Sequence, residues 1–215
     1  MSKMNSTKKE FKRLPQTVVP LNYDILIKPD LINFTFDGNE TILIDVKEQV
    51  NQIYLNAFEV NITEASIKIN GKDVLKAEIQ LLKEDELAML SFGSSIPTGH
   101  AELTIVFSGT LNDKLKGFYR SKYLDANEQE RYAGVTHFEP TGARMAFPCW
   151  DEPVYRATFD ITLIVPKNHV ALSNMNMINE TLVGDNLRQV KFAKTPIMST
   201  YLVAFIVGEF DYVET

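Results

Sequence analysis

Alternation of apolar and polar side chains with a period of two is the feature that most constrains the fold of this chain. Such alternation, bounded by Gly, Pro, Asn and Asp, recurs along the sequence, whereas helical periodicity is nearly absent. In the run Glu40–Lys47, for example, it places Ile42, Ile44 and Val46 on one face. The sequence therefore predicts an all-β protein.

Turn residues and strongly apolar runs indicate how many strands there are and how they are covered. Asn70-Gly71 follows an alternating run and predicts a hairpin, because this pair favours positive φ. The run Ser199–Phe210 is apolar on both faces, as expected of a strand that is covered on both sides. About ten to thirteen closely spaced strands favour a β-sandwich or one large curved antiparallel sheet over alternating strands and helices.

Charge argues against a nucleic-acid partner. The 215 residues carry 22 Lys and Arg against 28 Asp and Glu, a formal net charge of −6, and a protein that binds phosphate backbones needs a clustered excess of basic residues. Basic residues cluster only in residues 1–13. We expect residues 1–13 to form a flexible basic tail and residues 14–215 to form one β domain.

Nothing in the sequence predicts contact with a membrane or secretion. No apolar stretch approaches the roughly 18 residues of a membrane span, and no apolar run follows the basic start as it does in a secretory leader. The single cysteine, Cys149, cannot form an internal disulfide, which is typical of a reducing compartment. We therefore expect a cytoplasmic protein.

The segment Thr136–Pro153, THFEPTGARMAFPCWDEP, concentrates reactive residue types and is the first place to look for a site. A zinc enzyme usually carries two histidines one helical turn apart, together with a general-base glutamate. The three histidines, His100, His137 and His169, are more than thirty positions apart. Zinc could therefore be held only by ligands that distant strands bring together.

A thiolate pair of Cys149 and His137, oriented by Asp151 or Glu152, is a second candidate. The apolar surroundings AFPCW would raise the pKa of the thiol, and the segment lacks the cationic setting that activates cysteines. Cys149 is better explained as a small buried side chain. No complete catalytic constellation emerges from the segment.

Most of the segment has the features of a structural excursion from a sheet. Three prolines exclude a regular strand and fix an irregular path: Pro140, Pro148 and Pro153. Apolar anchors accompany them: Phe138, Met145, Phe147 and Trp150. Arg144 is expected to pair with Asp151 or Glu152 and so to close the excursion. His137 and Glu139 are left on one face of the strand that leads into it.

The same segment resembles a signature of the gluzincin zinc aminopeptidases, T-Q-F-E-x-T-D-A-R-R-A-F-P-C-W/F-D-E-P, which belongs to the N-terminal domain of that family. The stretches LNDKLKGFYRSKY, ATFDITLIVPKNHVALSNMN and TPIMSTYLVAFIVGEFDYVET are similar to further landmarks of its puromycin-sensitive subfamily, in the same order. The resemblance covers residues 14–215. It implies a sheet-rich, saddle-like N-terminal domain that packs against a thermolysin-like catalytic domain.

The zinc-binding part of that family lies in the catalytic domain. Its His-Glu-x-x-His and Gly-Ala-Met-Glu-Asn motifs do not occur in this sequence. The resemblance therefore implies that zinc is the cofactor of the full-length enzyme, that this chain holds no cofactor, and that it ends where the catalytic domain would begin. On its own, the chain is expected to be inactive.

Two residues match family positions that touch the substrate. Glu139 matches the glutamate that binds the free α-ammonium group of a peptide. His137 stands in place of the glutamine that lines the pocket for the first side chain. Peptides with a free N-terminal amine and the missing catalytic domain are thus the implied partners. Gly142 replaces an aspartate and Met145 an arginine of the signature, which bears on the pocket preference rather than on the fold.

The remaining matches to the signature are interpreted as structural: Arg144, Pro148, Cys149, Trp150, Asp151, Glu152 and Pro153. A second interpretation stays open, in which the chain is a truncated paralogue that acts as a stand-alone β-sandwich interaction module. Sequence downstream of Thr215 that encodes His-Glu-x-x-His would favour the first interpretation, and a stop codon the second.

Overall fold

The computed structural model describes residues 13–69, 71 and 73–210. These residues form fourteen strands, one more than the upper end of the expected range: β1 (Val18–Asp30), β2 (Thr35–Val46), β3 (Val50–Asn56), β4 (Val60–Ile69), β5 (Asp73–Leu82), β6 (Leu87–Ile96), β7 (Gly99–Thr110), β8 (Gly117–Leu124), β9 (Glu130–His137), β10 (Thr158–Pro166), β11 (Val170–Ser173), β12 (Met177–Val183), β13 (Leu187–Phe192) and β14 (Phe205–Gly208).

Helical structure in the described residues is limited to three single turns of 3-10 helix: Lys83–Asp85, Ala143–Met145 and Thr200–Leu202. The prediction of an all-β fold is confirmed. In this part of the chain no helix has the length and apolar character needed to cross a membrane. Residues 1–12 of the expected flexible tail lie outside the described residues, and Arg13 contacts Glu152.

The strands form two sheets. The larger has ten strands in the order β12-β13-β10-β1-β2-β7-β4-β5-β6-β3, and the smaller has four in the order β11-β14-β9-β8. The pairing is antiparallel, as expected, except that β1 runs parallel to β10. In that pair Asn22 lies opposite Thr158, 136 positions later in the chain. The expected hairpin joins β4 to β5, and Gly71 in its turn has a φ of 72°.

Aromatic side chains join the two sheets. The ring of Phe36 in β2 lies 5.3 Å from that of Phe118 in β8, and Phe118 lies 4.9 Å from Phe205 in β14. All three side chains are at most 1% exposed. Each aromatic pair contributes about 0.5–1.5 kcal/mol beyond the burial of its area. The core therefore lies between the sheets, as in a β-sandwich.

The last strand is shorter than the sequence predicts. The apolar run Ser199–Phe210 predicts a single strand, but it begins with the 3-10 turn Thr200–Leu202, and β14 occupies only Phe205–Gly208. The reason is a polar contact, because the Thr200 hydroxyl donates to the buried Asp151 carboxylate at 2.7 Å and draws the chain into a turn. The remaining strand has neighbours on both sides, β11 and β9.

Candidate functional site

The segment that follows β9 is a buried excursion rather than a strand. Every residue from 142 to 152 is buried. The ring of Phe138 lies 5.8 Å from Phe205 in the smaller sheet. The backbone N–H of Trp150 donates to the hydroxyl of Tyr23 in the larger sheet at 3.2 Å. The excursion is thus packed against both sheets, and this packing fixes the backbone that carries His137 and Glu139 at its start.

Arg144 closes the excursion through Asp151. Its Nε donates to Oδ2 of Asp151 at 2.9 Å, and its Nη2 donates to the backbone carbonyl of the same residue at 3.0 Å. Its Nη1 pairs with the carboxylate of Glu86 at 2.9 Å. Burial lowers the pKa of the guanidinium, but the hydrogen bonds and negative charges around it, those of Asp151 foremost and then that of Glu86, together raise the pKa of Arg144. The side chain therefore stays a cation inside the fold.

Glu152, the other carboxylate considered for Arg144, binds the start of the described chain instead. Its Oε1 accepts the backbone N–H of Leu14 at 2.8 Å, and its Oε2 pairs with Arg13 at 3.2 Å. The hydroxyl of Tyr155 donates to the carbonyl of Leu14 at 3.0 Å. Asp151 therefore closes the excursion, and Glu152 fixes the residues that lead into β1.

Cys149 lies in the core. The residue is fully buried, and its backbone N–H and carbonyl both bond to Asn56, at 3.0 and 2.8 Å. Burial and then the negative charge of Asp151 raise the pKa of the thiol well above its ordinary value. In the described part of the chain no hydrogen bond joins Cys149 to His137, whose ring contacts Leu115 instead. The thiolate pair is thus not formed.

The three histidines lie on different elements. His100 is in β7 opposite Asp45, His137 ends β9, and His169 lies between β10 and β11, where burial lowers the pKa of its imidazole. Across residues 13–69, 71 and 73–210, no three His, Cys, Asp or Glu side chains are placed to hold a metal. A zinc site built from distant strands therefore has no support in this part of the chain.

His137 and Glu139 are exposed, whereas Phe138 between them is buried. His137 is the last residue of β9 and lies opposite Gly117 of β8. Glu139 lies beyond the strand, and its peptide bond to Pro140 is cis. Among the described residues, the carboxylate of Glu139 has neither an ion pair nor a hydrogen bond. Both side chains are therefore exposed to solvent, and the buried Phe138 anchors the backbone between them.

Gly142 permits a close backbone contact behind these two residues. Its N–H donates to the carbonyl of Phe138 at 2.6 Å. A Cβ atom at this position would lie 2.6 Å from the carbonyl oxygen of His137 and 2.9 Å from Cα of Phe138. Backbone atoms cannot move aside as a flexible side chain can, so a larger residue would force the turn to shift. The glycine therefore belongs to the path that presents His137 and Glu139.

Comparison with known proteins identifies the family. The family model described as the peptidase M1 N-terminal domain matches residues 19–202. The chain belongs to this family. Aminopeptidase M1 of Arabidopsis thaliana is 47% identical to the M1 N-terminal domain described here over 206 residues, which are 94% of this chain and 23% of that protein. Puromycin-sensitive aminopeptidase of Caenorhabditis elegans is 43% identical over 209 residues, 95% of this chain and 22% of that protein.

The chain thus spans less than a quarter of the length of these relatives. The matches confirm the resemblance drawn from the signature and from the landmarks around it. They show that this is an N-terminal domain of the aminopeptidase family.

A cavity of about 640 Å³ in the M1 domain lies apart from His137 and Glu139. Its walls include Phe36, Phe58 and Glu59. The carboxylate of Glu59 is paired with Lys114 at 3.4 Å. His137 and Glu139 do not line this cavity, and both are exposed.

Two features of the M1 domain go beyond the predictions drawn from the sequence. Glu40 in β2 is completely buried, and neither of its carboxylate oxygens has a partner among the described residues. Burial raises its pKa well above the ordinary value. The alternation that places Ile42 inside also places Glu40 inside, so the burial of Glu40 could have been predicted from the sequence.

The second feature is the contact between His137 and Leu115. Nδ1 of His137 lies 3.0 Å from the backbone carbonyl oxygen of Leu115, in the loop between β7 and β8. Asn112-Asp113 marks a turn in the sequence. A turn motif does not indicate which distant side chain the loop contacts, so the contact between His137 and Leu115 could not be predicted from the sequence.

Proposed function

We propose that this chain is the substrate-amine-recognising N-terminal part of a zinc aminopeptidase that removes N-terminal amino acids from peptides. The observation that carries the proposal is Glu139, an exposed carboxylate without a partner in the described residues, next to the buried anchor Phe138. A carboxylate in this position can accept charge-assisted hydrogen bonds from an α-ammonium group, worth about 1.5–3 kcal/mol. An acylated amine lacks the charge and would lose them.

His137 is proposed to contact the first side chain of the peptide. It is exposed and precedes Glu139 by two positions, so both can face the same ligand. An imidazole can offer a hydrogen-bond acceptor or a hydrogen-bond donor to that side chain. The preference of the pocket should therefore change when glutamine replaces His137.

Zinc is proposed to be held outside this chain. The described residues do not fit a zinc centre, because no three potential ligands converge. The relatives of which this chain spans less than a quarter are named aminopeptidases, so the remainder of such a protein would supply the ligands. The chain alone is then expected to bind no zinc and to hydrolyse no peptide.

Metal analysis and an aminoacyl-chromophore assay on the purified 215-residue chain test this part of the proposal. The expected result is the absence of both stoichiometric zinc and turnover. Stoichiometric zinc together with turnover would refute it. Sequencing downstream of Thr215 complements the assay, since a reading frame that encodes His-Glu-x-x-His is the expected finding.

A chimera tests the role of Glu139. In it, this chain replaces the matching segment of the Arabidopsis thaliana relative, with which it shares 47% identity. Glu139→Ala should lower kcat/KM for peptides with a free amine by about 10- to 150-fold, the equivalent of the charge-assisted hydrogen bonds. Glu64→Ala, at an exposed carboxylate of β4, is the matched control. Kinetics of Glu139→Ala equal to those of the control would contradict the proposed role.

A second candidate function, a stand-alone interaction module, is favoured by β12. This strand lies at an edge of the ten-stranded sheet, and all seven of its residues are exposed. Four of them are apolar: Met177, Ile178, Leu182 and Val183. Exposed apolar edges pair with other chains. Light scattering on the purified chain tests this candidate, because self-association that Leu182→Lys abolishes would support it and a monomer at all concentrations would not.

We also propose a cytoplasmic location. The free, buried Cys149 supports it, because a protein of a reducing compartment has no need of disulfides. Cell fractionation followed by immunodetection is the test, and recovery of the protein from the secreted fraction would contradict the proposal.

A further inference from the structure

We propose that Asn112 and the backbone carbonyl of Leu115 are positioning groups that fix the imidazole of His137, so that Nε2 is the atom offered to the substrate. This inference rests on the proposed function, in which His137 contacts the first side chain of a peptide. It deepens that function by adding a loop that lies outside the signature segment Thr136–Pro153.

The contact between His137 and Leu115 fixes the state of the ring. Nδ1 lies 3.0 Å from the carbonyl oxygen, which can only accept a hydrogen bond, so Nδ1 must carry a proton. In the neutral imidazole the other nitrogen, Nε2, is then an acceptor, and in the cation it is a donor. Among the described residues Nε2 has no hydrogen-bond partner. The contact therefore survives protonation and leaves the same atom free in both states.

The side chain of Asn112 holds the loop that carries this carbonyl. Its Oδ1 accepts the backbone N–H of Lys114 at 2.8 Å, and its Nδ2 donates to the carbonyl of Lys116 at 2.9 Å. Leu115 lies between these two contacts and has a φ of 56°, a conformation that leucine rarely adopts. One amide group thus spans the residue on both sides and holds its carbonyl towards His137.

Arg120 in β8 fastens the same loop to the core. Its backbone N–H donates to the carbonyl of Asn112 at 2.8 Å, and its Nη1 donates to the carbonyl of Leu111 at 2.8 Å. Its guanidinium lies over the ring of Phe34, with Cζ 4.6 Å from the centroid. The loop is therefore attached to a packed part of the sheet, and this attachment fixes the position of the Leu115 carbonyl.

The consequence for specificity follows from the geometry of the ring. A neutral imidazole held through Nδ1–H offers an acceptor at Nε2, which favours a first side chain that donates a hydrogen bond. If Asn112 no longer holds the loop, the ring can rotate and exchange its two nitrogens. Discrimination between a donating and an apolar first side chain of similar size should then fall.

Nitrogen NMR of the histidine rings tests the proposal on the 215-residue chain itself. In the unsubstituted protein at a pH where His137 is neutral, the proton should reside on Nδ1, although free histidine prefers the tautomer with the proton on Nε2. Asn112→Ala should shift the ring towards a mixture of tautomers. Leu115→Asn is the matched control, because it keeps the carbonyl and tolerates positive φ, and it should leave the tautomer unchanged.

Asn112→Asp is the second variant, in case Asn112→Ala lowers the stability too far to be studied. The aspartate keeps an acceptor for Lys114 N–H but has no donor for the carbonyl of Lys116, so it should also shift the tautomer. A proton on Nε2 in the unsubstituted chain would overturn the proposal. So would a tautomer that both Asn112 variants leave unchanged.

Kinetics in the chimera described above provide the functional reading. Asn112→Ala should reduce the ratio of kcat/KM between peptides that begin with Gln and with Met by about 2- to 10-fold, the equivalent of one hydrogen bond. Leu115→Asn should preserve that ratio. The tautomer of His137 is measured by NMR without substrate. The proposed positioning of His137 can therefore be refuted while the proposed binding of the amine by Glu139 still holds. Conversely, a silent Glu139→Ala would refute the proposed function and leave the tautomer result standing.

Discussion

Glutamine in place of Glu40 should remove a pH-dependent loss of stability from this domain. Glu40 is completely buried in β2, and its carboxylate oxygens have no hydrogen-bond partner among the described residues. Burial raises its pKa well above the ordinary value of 4.5. The folded protein therefore keeps a proton that the unfolded chain releases, and the free energy of unfolding falls as the pH rises from 4.5 towards the folded pKa.

The size of the effect follows from proton linkage. One retained proton lowers the free energy of unfolding by about 1.4 kcal/mol for each pH unit between the ordinary pKa and the folded pKa. Each unit of that interval matters against the roughly 5–15 kcal/mol that stabilises a typical domain. Glutamine has nearly the same shape and does not titrate. Glu40→Gln and the unsubstituted protein should be similarly stable at pH 4.5 and should diverge above it.

Urea unfolding measured between pH 4.5 and pH 7 provides the assay. Trp150 is the only tryptophan and is 1% exposed, so its fluorescence reports the loss of the core. The stability difference between the two proteins should grow as the pH rises, by at most about 1.4 kcal/mol per pH unit while the folded protein keeps its proton on Glu40. Burial also raises the pKa of Asp24, but this group is present in both proteins and cancels in the difference. Asp37→Asn, an exposed carboxylate of the same strand, is the matched control.

A stability difference that stays constant over this pH range would refute the reasoning, because it would mean that Glu40 is ionised in the folded protein. Glu40→Leu separates the proton from the missing hydrogen bonds. It removes both unpartnered oxygens as well as the titration, so it should stabilise the domain even at pH 4.5, where Glu40→Gln brings little gain.

Three further predictions concern the excursion and its entrance. Arg144→Met should lower the free energy of unfolding, measured by urea, by about 3–5 kcal/mol, because the buried carboxylate of Asp151 would be left without a cationic partner. Adding Asp151→Asn should recover part of that loss. Gly142→Ala should cost about 1–3 kcal/mol through its backbone clash, whereas Gly93→Ala, whose Cβ would have no neighbour within 4 Å, should cost less. Cys149 should resist alkylation until the protein unfolds, and labelling at the rate of a free thiol would contradict its burial.

The alternation of apolar and polar residues was sufficient to predict that these segments are strands, because every second residue of a strand lies on its buried face. It placed Ile42, Ile44 and Val46 inside, where all three are at most 1% exposed. It could not give the parallel pairing of β1 with β10, since partners so far apart in the chain leave no local pattern. It also could not locate the turn at Thr200, which depends on a carboxylate elsewhere in the sequence.

The structural part of the signature could be predicted in the same partial way. A buried arginine must find a carboxylate, and the contact of Arg144 with Asp151 follows from that rule. One partner of Glu152 is the backbone N–H of Leu14, and backbone groups are identical in every sequence, so no side-chain pattern reveals this contact. Glu139 is exposed, and its role in binding an amine stays a prediction.

The parallel pairing of β1 with β10 has a consequence for biosynthesis. During translation β1 can pair with β2 as soon as that strand emerges, but its other edge must wait for residues that follow 136 positions later. At about 5–20 residues per second, that edge stays open for roughly 7 to 27 seconds on each nascent chain. A ribosome-bound intermediate with a bare apolar sheet edge is a substrate for chaperones, and the yield of this domain in a cell should depend on them more than its final stability suggests.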